Sequence, residues 1–87
     1  MAMCTRGIVR VHLGRALGGA IGRALIELDV ELHVTAKRLQ DRIAEEHPFL
    51  QLLLQLAVVE AGNRILGLDD VVPRDEEIRV SLPILGS

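Results

Sequence analysis

The sequence is poor in aromatic side chains, with one Phe and no Tyr or Trp among its 87 residues. It therefore lacks the stacking platforms on which single-stranded nucleic acids are usually bound. Acidic and basic residues are interspersed and the net charge is -2, so the basic stripe of a nucleic-acid groove is missing as well. The core must consist of aliphatic side chains, which the hydrophobic content of 49% permits.

Cysteine and histidine are also scarce, with one Cys and three His. A single cysteine cannot form an intrachain disulfide, and the three histidines are too dispersed to indicate a metal site. The free thiol of Cys4 fits a reducing compartment, so we expect a cytoplasmic protein with no bound metal or cofactor. No segment approaches the ~18 apolar residues of a membrane span, and no apolar region of a signal peptide follows the N-terminus.

Three segments alternate apolar and polar side chains with the period of two that is typical of a half-buried strand. They lie at residues 8–13, 24–31 and 78–82. The first two predict a hairpin, and in the third Arg79 and Ser81 are expected to face away from the core. Two shorter strands are predicted on either side of a turn at 62–63.

One amphipathic helix is predicted to begin after Thr35, whose hydroxyl can cap the first turn. Its apolar face consists of Ala36, Leu39 and Ile43, and Pro48 disfavours helical geometry at the residue before it. The dense apolar run at 49–56 is expected to be a short helix or connector packed in the core. An alternative is that part of this run forms a surface for a partner.

The segment at 14–22 contains four glycines. We predict a loop there with at most one helical turn. A phosphate-binding loop is excluded because no Gly-Lys-Ser/Thr sequence is present and no helix is expected to follow.

The predicted order of elements is strand, strand, helix, short strands and strand. A single amphipathic helix must bury its apolar face against one face of a small sheet. A last strand that arrives after a crossover can pair parallel to the first. We therefore predict an α+β fold with a mixed sheet of four to five strands and one main helix packed on one face. It would form a single domain over 1–87, with a flexible tail at 83–87.

Three segments near the end of the chain occur in an ordered series. They are the turn Ala61-Gly62-Asn63-Arg64, the acidic loop Arg74-Asp75-Glu76-Glu77, and the ending Leu82-Pro83-Ile84-Leu85-Gly86-Ser87. Together with the order of elements, this series resembles the ubiquitin-like sulfur carriers. Those include the small subunit of molybdopterin synthase, the thiamin-pathway sulfur carrier and related archaeal modifiers. The resemblance implies a β-grasp fold.

In that family the C-terminal carboxylate is the reacting group. An E1-like adenylating partner uses ATP to form an acyl-adenylate, and a sulfur donor then displaces AMP to leave a thiocarboxylate. The resemblance implies that the carrier body supplies no catalytic side chain and that the acceptor end is Gly86 and Ser87. The implied partner-binding tail consists of Leu82, Pro83, Ile84 and Leu85. A Leu-Pro element before the tail favours the molybdopterin branch, with the large subunit of molybdopterin synthase as a second partner.

Two residues of the ending depart from the family pattern. Ser87 follows Gly86 where the family ends in Gly-Gly, and Leu85 stands where a small residue is usual. Three interpretations of Ser87 remain open: it is removed by processing, it is tolerated, or it abolishes sulfur transfer. The alternative from a different class is a β-grasp interaction module that binds a partner without tail chemistry. In either class the acidic residues at 75–77 are candidates for recognition by a basic partner.

Overall fold

A computed structural model describes residues 6–83 of the chain. Within this range the elements are β1 (Arg6–Leu13), α1 (Arg15–Ile21), β2 (Leu25–Glu31), α2 (Ala36–Glu46), a 3₁₀ turn (Pro48–Leu50), α3 (Gln51–Leu54), β3 (Val58–Ala61), β4 (Arg64–Leu66) and β5 (Ile78–Ser81).

The strands form one mixed sheet in the order β2-β1-β5-β3-β4. The β1–β2 hairpin is antiparallel, β5 pairs parallel to β1, and β3 pairs antiparallel to β5 and β4. The predicted return of the last strand alongside the first is therefore confirmed. β5 is the central strand, so both of its edges are held by neighbouring strands.

The core lies between one face of this sheet, which we call the inner face, and the main helix α2. Val11, Leu28 and Val80 point inward from three strands, and Leu39 and Ile43 point toward them from α2; all five are at most 1% exposed. Burial of an aliphatic side chain of this size contributes about 1.5–3 kcal/mol each. The predicted arrangement of one main helix on one face of a five-stranded sheet is confirmed.

Helix α2 begins and ends at the residues that the sequence predicts. The Thr35 hydroxyl accepts a hydrogen bond from the backbone N–H of Arg38 at 3.2 Å. At the other end the N–H of His47 donates to the Ile43 carbonyl at 2.8 Å, and Pro48 begins the following 3₁₀ turn. The cap satisfies one of the free donors in the first turn.

The glycine-rich segment is a helix, so the predicted loop is wrong. Leu17 is fully buried on the inward side of α1, and Gly22 ends the helix with a left-handed φ of 73°. A Cβ on Gly18 would lie 2.6 Å from the carbonyl oxygen of Arg23. Glycine is therefore needed at 18 because the returning backbone packs directly on the helix, and at 22 because of the helix C-cap. The exclusion of a phosphate-binding loop is unaffected, because the segment lacks Gly-Lys-Ser/Thr and is followed by the strand β2.

The apolar run at 49–56 is only half in the core. Leu50 and Leu54 are buried, whereas Phe49, Leu52 and Leu56 are 68%, 75% and 57% exposed. The predicted short helix is present as the 3₁₀ turn and α3. Together they present one face to the core and the other to solvent, so the expected packing in the core holds for one face only.

The long connection before β5 is fastened to the rest of the domain at two places. The Val72 N–H donates to the Val34 carbonyl at 2.8 Å, beside the start of α2. The Arg74 guanidinium reaches the carbonyls of Ile8 and Glu31 at 3.5 Å, at the far end of the β1–β2 hairpin. These contacts bring the chain back into position for the central strand.

Candidate functional site at the root of the C-terminal tail

The described part of the chain ends at Pro83, two residues after the central strand β5. The backbone N–H of Gly14 donates to the Val80 carbonyl at 2.8 Å on one side, and Val58 is the pairing partner of Ser81 on the other. Ser81 lies on the outer face of the sheet, as predicted, but it is only 6% exposed. The starting point of the tail is thus held by hydrogen-bonded neighbours on both sides.

The two residues after β5 have different environments. Leu82 is 5% exposed and belongs to the hydrophobic core, whereas Pro83 is exposed. Leu82, the first residue of the predicted partner-binding tail, is therefore packed in the core of the domain. Of the two described residues after β5, Pro83 is the exposed one. Ile84, Leu85, Gly86 and Ser87 lie outside the described residues.

A row of side chains crosses the outer face of the sheet immediately before this root. The pairing registers place Leu25 opposite His12, His12 opposite Arg79, Arg79 opposite Glu60, and Glu60 opposite Ile65. The apolar ends of the row are exposed, Leu25 by 43% and Ile65 by 66%. The row therefore has a polar centre on β5 between two apolar ends.

Arg79 at the centre of the row forms no side-chain hydrogen bond or ion pair with any residue in the range 6–83. Its neighbours are engaged elsewhere. Glu60 accepts a hydrogen bond from the Ser81 hydroxyl at 3.4 Å, and the imidazole of His12 lies 3.8 Å from a Glu77 carboxylate oxygen. The guanidinium of Arg79 is thus available for an external carboxylate or carbonyl group.

A shallow groove joins the row to the tail root. It has a volume of about 590 Å³ and is lined on β3, β4 and β5 by Val58, Ile65 and Arg79, and at its end by Leu82 and Pro83. The outer face and the root therefore form one continuous surface. Arg79 is absent from the residues that sequence reasoning singled out for the site, although the alternation along β5 already pointed its side chain outward.

The acidic loop before β5 is largely occupied by structural contacts. Glu76 forms an ion pair with Arg64 at 3.0 Å across the β3–β4 turn, and Glu77 lies near His12. These exposed pairs are worth less than about 1 kcal/mol each. In the described part of the chain, the exposed Asp75 carboxylate has no hydrogen bond or ion pair, so it is available to a basic partner.

The described residues hold no group of His, Cys, Asp and Glu side chains suited to a metal ion. On α2, a hydrogen bond to Glu45 and the charge of Glu45 raise the pKa of Arg38. The charge of Glu31 contributes further to this increase. Between residues 6 and 83, no helix has the length and apolar content needed to cross a membrane. The candidate site in the described residues is thus the end of a central strand together with the adjoining outer face of the sheet.

The ββαβ order, the mixed sheet with a central β5 parallel to β1, and α2 across the inner face define a ubiquitin-like β-grasp fold. Two solved structures share it, both of small archaeal modifier protein 1 from Haloferax volcanii. One has a TM-score of 0.76 at 18% identity and covers 93% of this chain and 100% of the other. The second has a TM-score of 0.74 at 16% identity and covers 86% of this chain and 95% of the other.

No protein-family model and no curated protein sequence matches the chain. At 16–18% identity the structural likeness establishes the fold, and the β-grasp prediction is confirmed on that ground. Both neighbours are named small archaeal modifier proteins. Archaeal modifiers are one of the groups in the family that the sequence resembles.

Proposed function

We propose that this chain is a ubiquitin-like protein of the sulfur-carrier and modifier type, whose C-terminal carboxylate is activated by an E1-like adenylating enzyme. The observation that supports it most strongly is the change of environment from buried Leu82 to exposed Pro83 at the end of the central strand. A tail that starts from a fixed strand carries its end group into a partner without displacing the core. The four residues after Pro83 span up to about 14 Å when extended.

The proposed reaction takes place in the partner's site. An oxygen of the C-terminal carboxylate attacks the α-phosphorus of ATP, and pyrophosphate leaves. Sulfide then attacks the acyl carbon, AMP leaves with the bonding electrons, and a thiocarboxylate results. This chain contributes only the acyl group and the reach of its tail. The side chain of Ser87 makes entry of the tail into a tight channel less favourable, because its hydroxyl must give up its hydrogen bonds to water.

The surface that we propose for docking is the outer-face groove together with Pro83. Val58 and Ile65 provide apolar contacts, and Arg79 provides a cation that no described residue neutralises. An arginine that lacks an ion pair within its own chain favours a carboxylate on the partner, which it can bind through two parallel hydrogen bonds. We therefore expect the adenylating partner to present an acidic side chain beside an apolar one.

Intact mass spectrometry tests the reaction. The chain is incubated with an E1-like adenylating enzyme, ATP, magnesium and sulfide, and a parallel sample uses a chain that ends at Gly86. The expected product carries the mass increase of one oxygen-to-sulfur exchange, localised to the last residue. If neither chain gains this mass with a panel of such enzymes, the proposal is refuted.

The docking surface is tested separately by binding to the same enzyme. Arg79→Glu should weaken binding by about tenfold or more because it places like charges together. Arg23→Glu is the matched control, because Arg23 is also exposed and has no ion pair within residues 6–83. Equal effects of both substitutions would indicate general electrostatics and would remove Arg79 from the proposed surface.

Within this class we propose the molybdopterin branch, on the basis of the Leu82-Pro83 element. In that branch the thiocarboxylated tail would enter the large subunit of molybdopterin synthase. Stable binding of the chain to such a subunit, lost when residues 84–87 are deleted, is the expected result. Binding that is unaffected by the deletion would argue against this branch.

The second candidate function is a β-grasp interaction module without tail chemistry. Leu85 and Ser87 favour it because both depart from the small-residue ending of sulfur carriers. Deletion of residues 85–87 separates the two candidates. A carrier loses thiocarboxylate formation, whereas an interaction module keeps its affinity for the partner.

A further inference from the structure

A second groove lies on the outer face of the sheet, next to the row of side chains that crosses at Arg79. It has a volume of about 670 Å³ and is formed by β1, by the connection at 73–77 and, through Glu27, by β2. Its large exposed apolar side chain is Ile8, which is 59% exposed. We call it the hairpin groove, to distinguish it from the outer-face groove at the tail root.

The two grooves meet at Glu77. This residue lines both of them, and its carboxylate lies 3.8 Å from the imidazole of His12. His12 lines the hairpin groove and is the pairing partner of Arg79 across β1 and β5. The surface is therefore continuous from the tail root, past Arg79 and Glu77, to Ile8.

Most charged side chains around the hairpin groove have partners within their own chain. Arg10 pairs with Glu27 at 3.0 Å across β1 and β2, and Glu76 pairs with Arg64 at 3.0 Å across the β3–β4 turn. The guanidinium of Arg74 is engaged with backbone carbonyls of the hairpin. The charge that the groove offers to another protein must therefore come from its remaining residues.

Two carboxylates at the junction of the grooves have no strong cation beside them. Among residues 6–83, no Arg or Lys nitrogen lies within 4 Å of the carboxylate of Glu77 or Asp75, and the Glu77 side chain is 63% exposed. Arg79 likewise has no carboxylate within the described residues. Glu77 and Arg79 are two positions apart, which corresponds to about 7 Å along an extended backbone. The surface thus presents an acid and a base in a fixed order, with Ile8 beyond the acid.

We propose that the adenylating partner of this chain covers both grooves, and that it places a basic side chain against Glu77 as well as an acidic one against Arg79. The inference rests on the proposed function, because it extends the docking surface that includes Pro83. The two complementary contacts set the direction in which the partner lies across the sheet, since a reversed orientation would bring like charges together. An apolar side chain of the partner covers Ile8.

A charge exchange tests the order of the two charges. The variant that combines Glu77→Arg with Arg79→Glu has the same net charge as the unaltered chain, so a difference in binding does not arise from net charge. Binding is measured by isothermal titration calorimetry with the E1-like enzyme that forms the thiocarboxylate. The exchanged variant should bind by about tenfold or more weakly, because both contacts become repulsive.

Single substitutions test the hairpin groove itself. Glu77→Arg should weaken binding by about fivefold or more, because it faces the basic side chain of the partner. Asp69→Arg is the matched control, since Asp69 is exposed, lines neither groove and has no ion pair within residues 6–83. Ile8→Ser should weaken binding too, whereas Leu52→Ser on α3, outside both grooves, should not. All four side chains are exposed, so each variant should melt cooperatively.

Equal effects of Glu77→Arg and Asp69→Arg would overturn the inference, and so would unchanged binding of the exchanged variant. If Arg79→Glu weakens binding but Glu77→Arg and Ile8→Ser do not, the partner is confined to the outer-face groove, and the proposed function stands without this extension. If no enzyme of the panel forms the thiocarboxylate, the proposed function fails and the inference fails with it.

Discussion

Substitution of Gly18 by alanine isolates the reason for the glycine-rich sequence of α1. The added methyl carbon would lie 2.6 Å from the Arg23 carbonyl oxygen, about 0.7 Å inside a normal carbon–oxygen contact. The backbone at 23–24 must therefore move, which costs about 1–3 kcal/mol of packing. The hydrogen bond from the Arg23 N–H to the Gly18 carbonyl is 3.0 Å long, and its distortion costs up to about 1 kcal/mol. The helical preference of alanine returns only about 0.5–1 kcal/mol.

The net expectation for Gly18→Ala is a loss of about 1–3 kcal/mol, which lowers the melting temperature by roughly 5–20 °C in a domain of this size. Gly19→Ala is the matched control in the same helix, because an added Cβ there meets no atom within 4 Å. It should stabilise the domain by about 0.5–1 kcal/mol. Thermal unfolding followed by far-ultraviolet circular dichroism measures both. Shifts of the same sign for the two variants would refute the close approach of the backbone at Gly18.

Three further predictions concern the core, a turn and the tail root. Leu39→Asp buries an unpaired charge on α2 and should abolish cooperative thermal melting, whereas Leu52→Asp at an exposed position of α3 should keep it. His33 has a φ of 60°, so His33→Val should cost about 1 kcal/mol or more, while His33→Gly should cost nothing measurable in urea unfolding. Leu82→Ala should destabilise the domain by about 2–4 kcal/mol in the same assay, and Pro83→Ala by less than about 0.5 kcal/mol. The placement of Leu39 in the core would be contradicted if Leu39→Asp melts like the unaltered chain. The left-handed backbone at His33 would be contradicted if valine and glycine there change the free energy of unfolding equally. The different burial of Leu82 and Pro83 would be contradicted if their alanine variants are destabilised equally.

The strands and the main helix were predictable because each has one buried face. Alternation along β1, β2 and β5 records burial on a single side of a sheet, and Thr35 marks the start of α2 chemically. The glycines of α1 give no such signal, since residues without side chains show no periodicity. Their role depends on the position of the backbone at 23–24, which is a tertiary contact. The sequence left open whether part of the run at 49–56 is exposed, because a short apolar run has the same pattern in a core segment and on a surface.

The location of the candidate site was predictable from its motif, but its surface was not. In this chain the Leu82-Pro83 element directly follows the last strand, β5. That Leu82 is an anchor follows only from the packing of the described structure. The Arg79 side chain is available because its neighbours on the adjacent strands, His12 and Glu60, contact other residues. A single sequence does not show which residues are paired across strands.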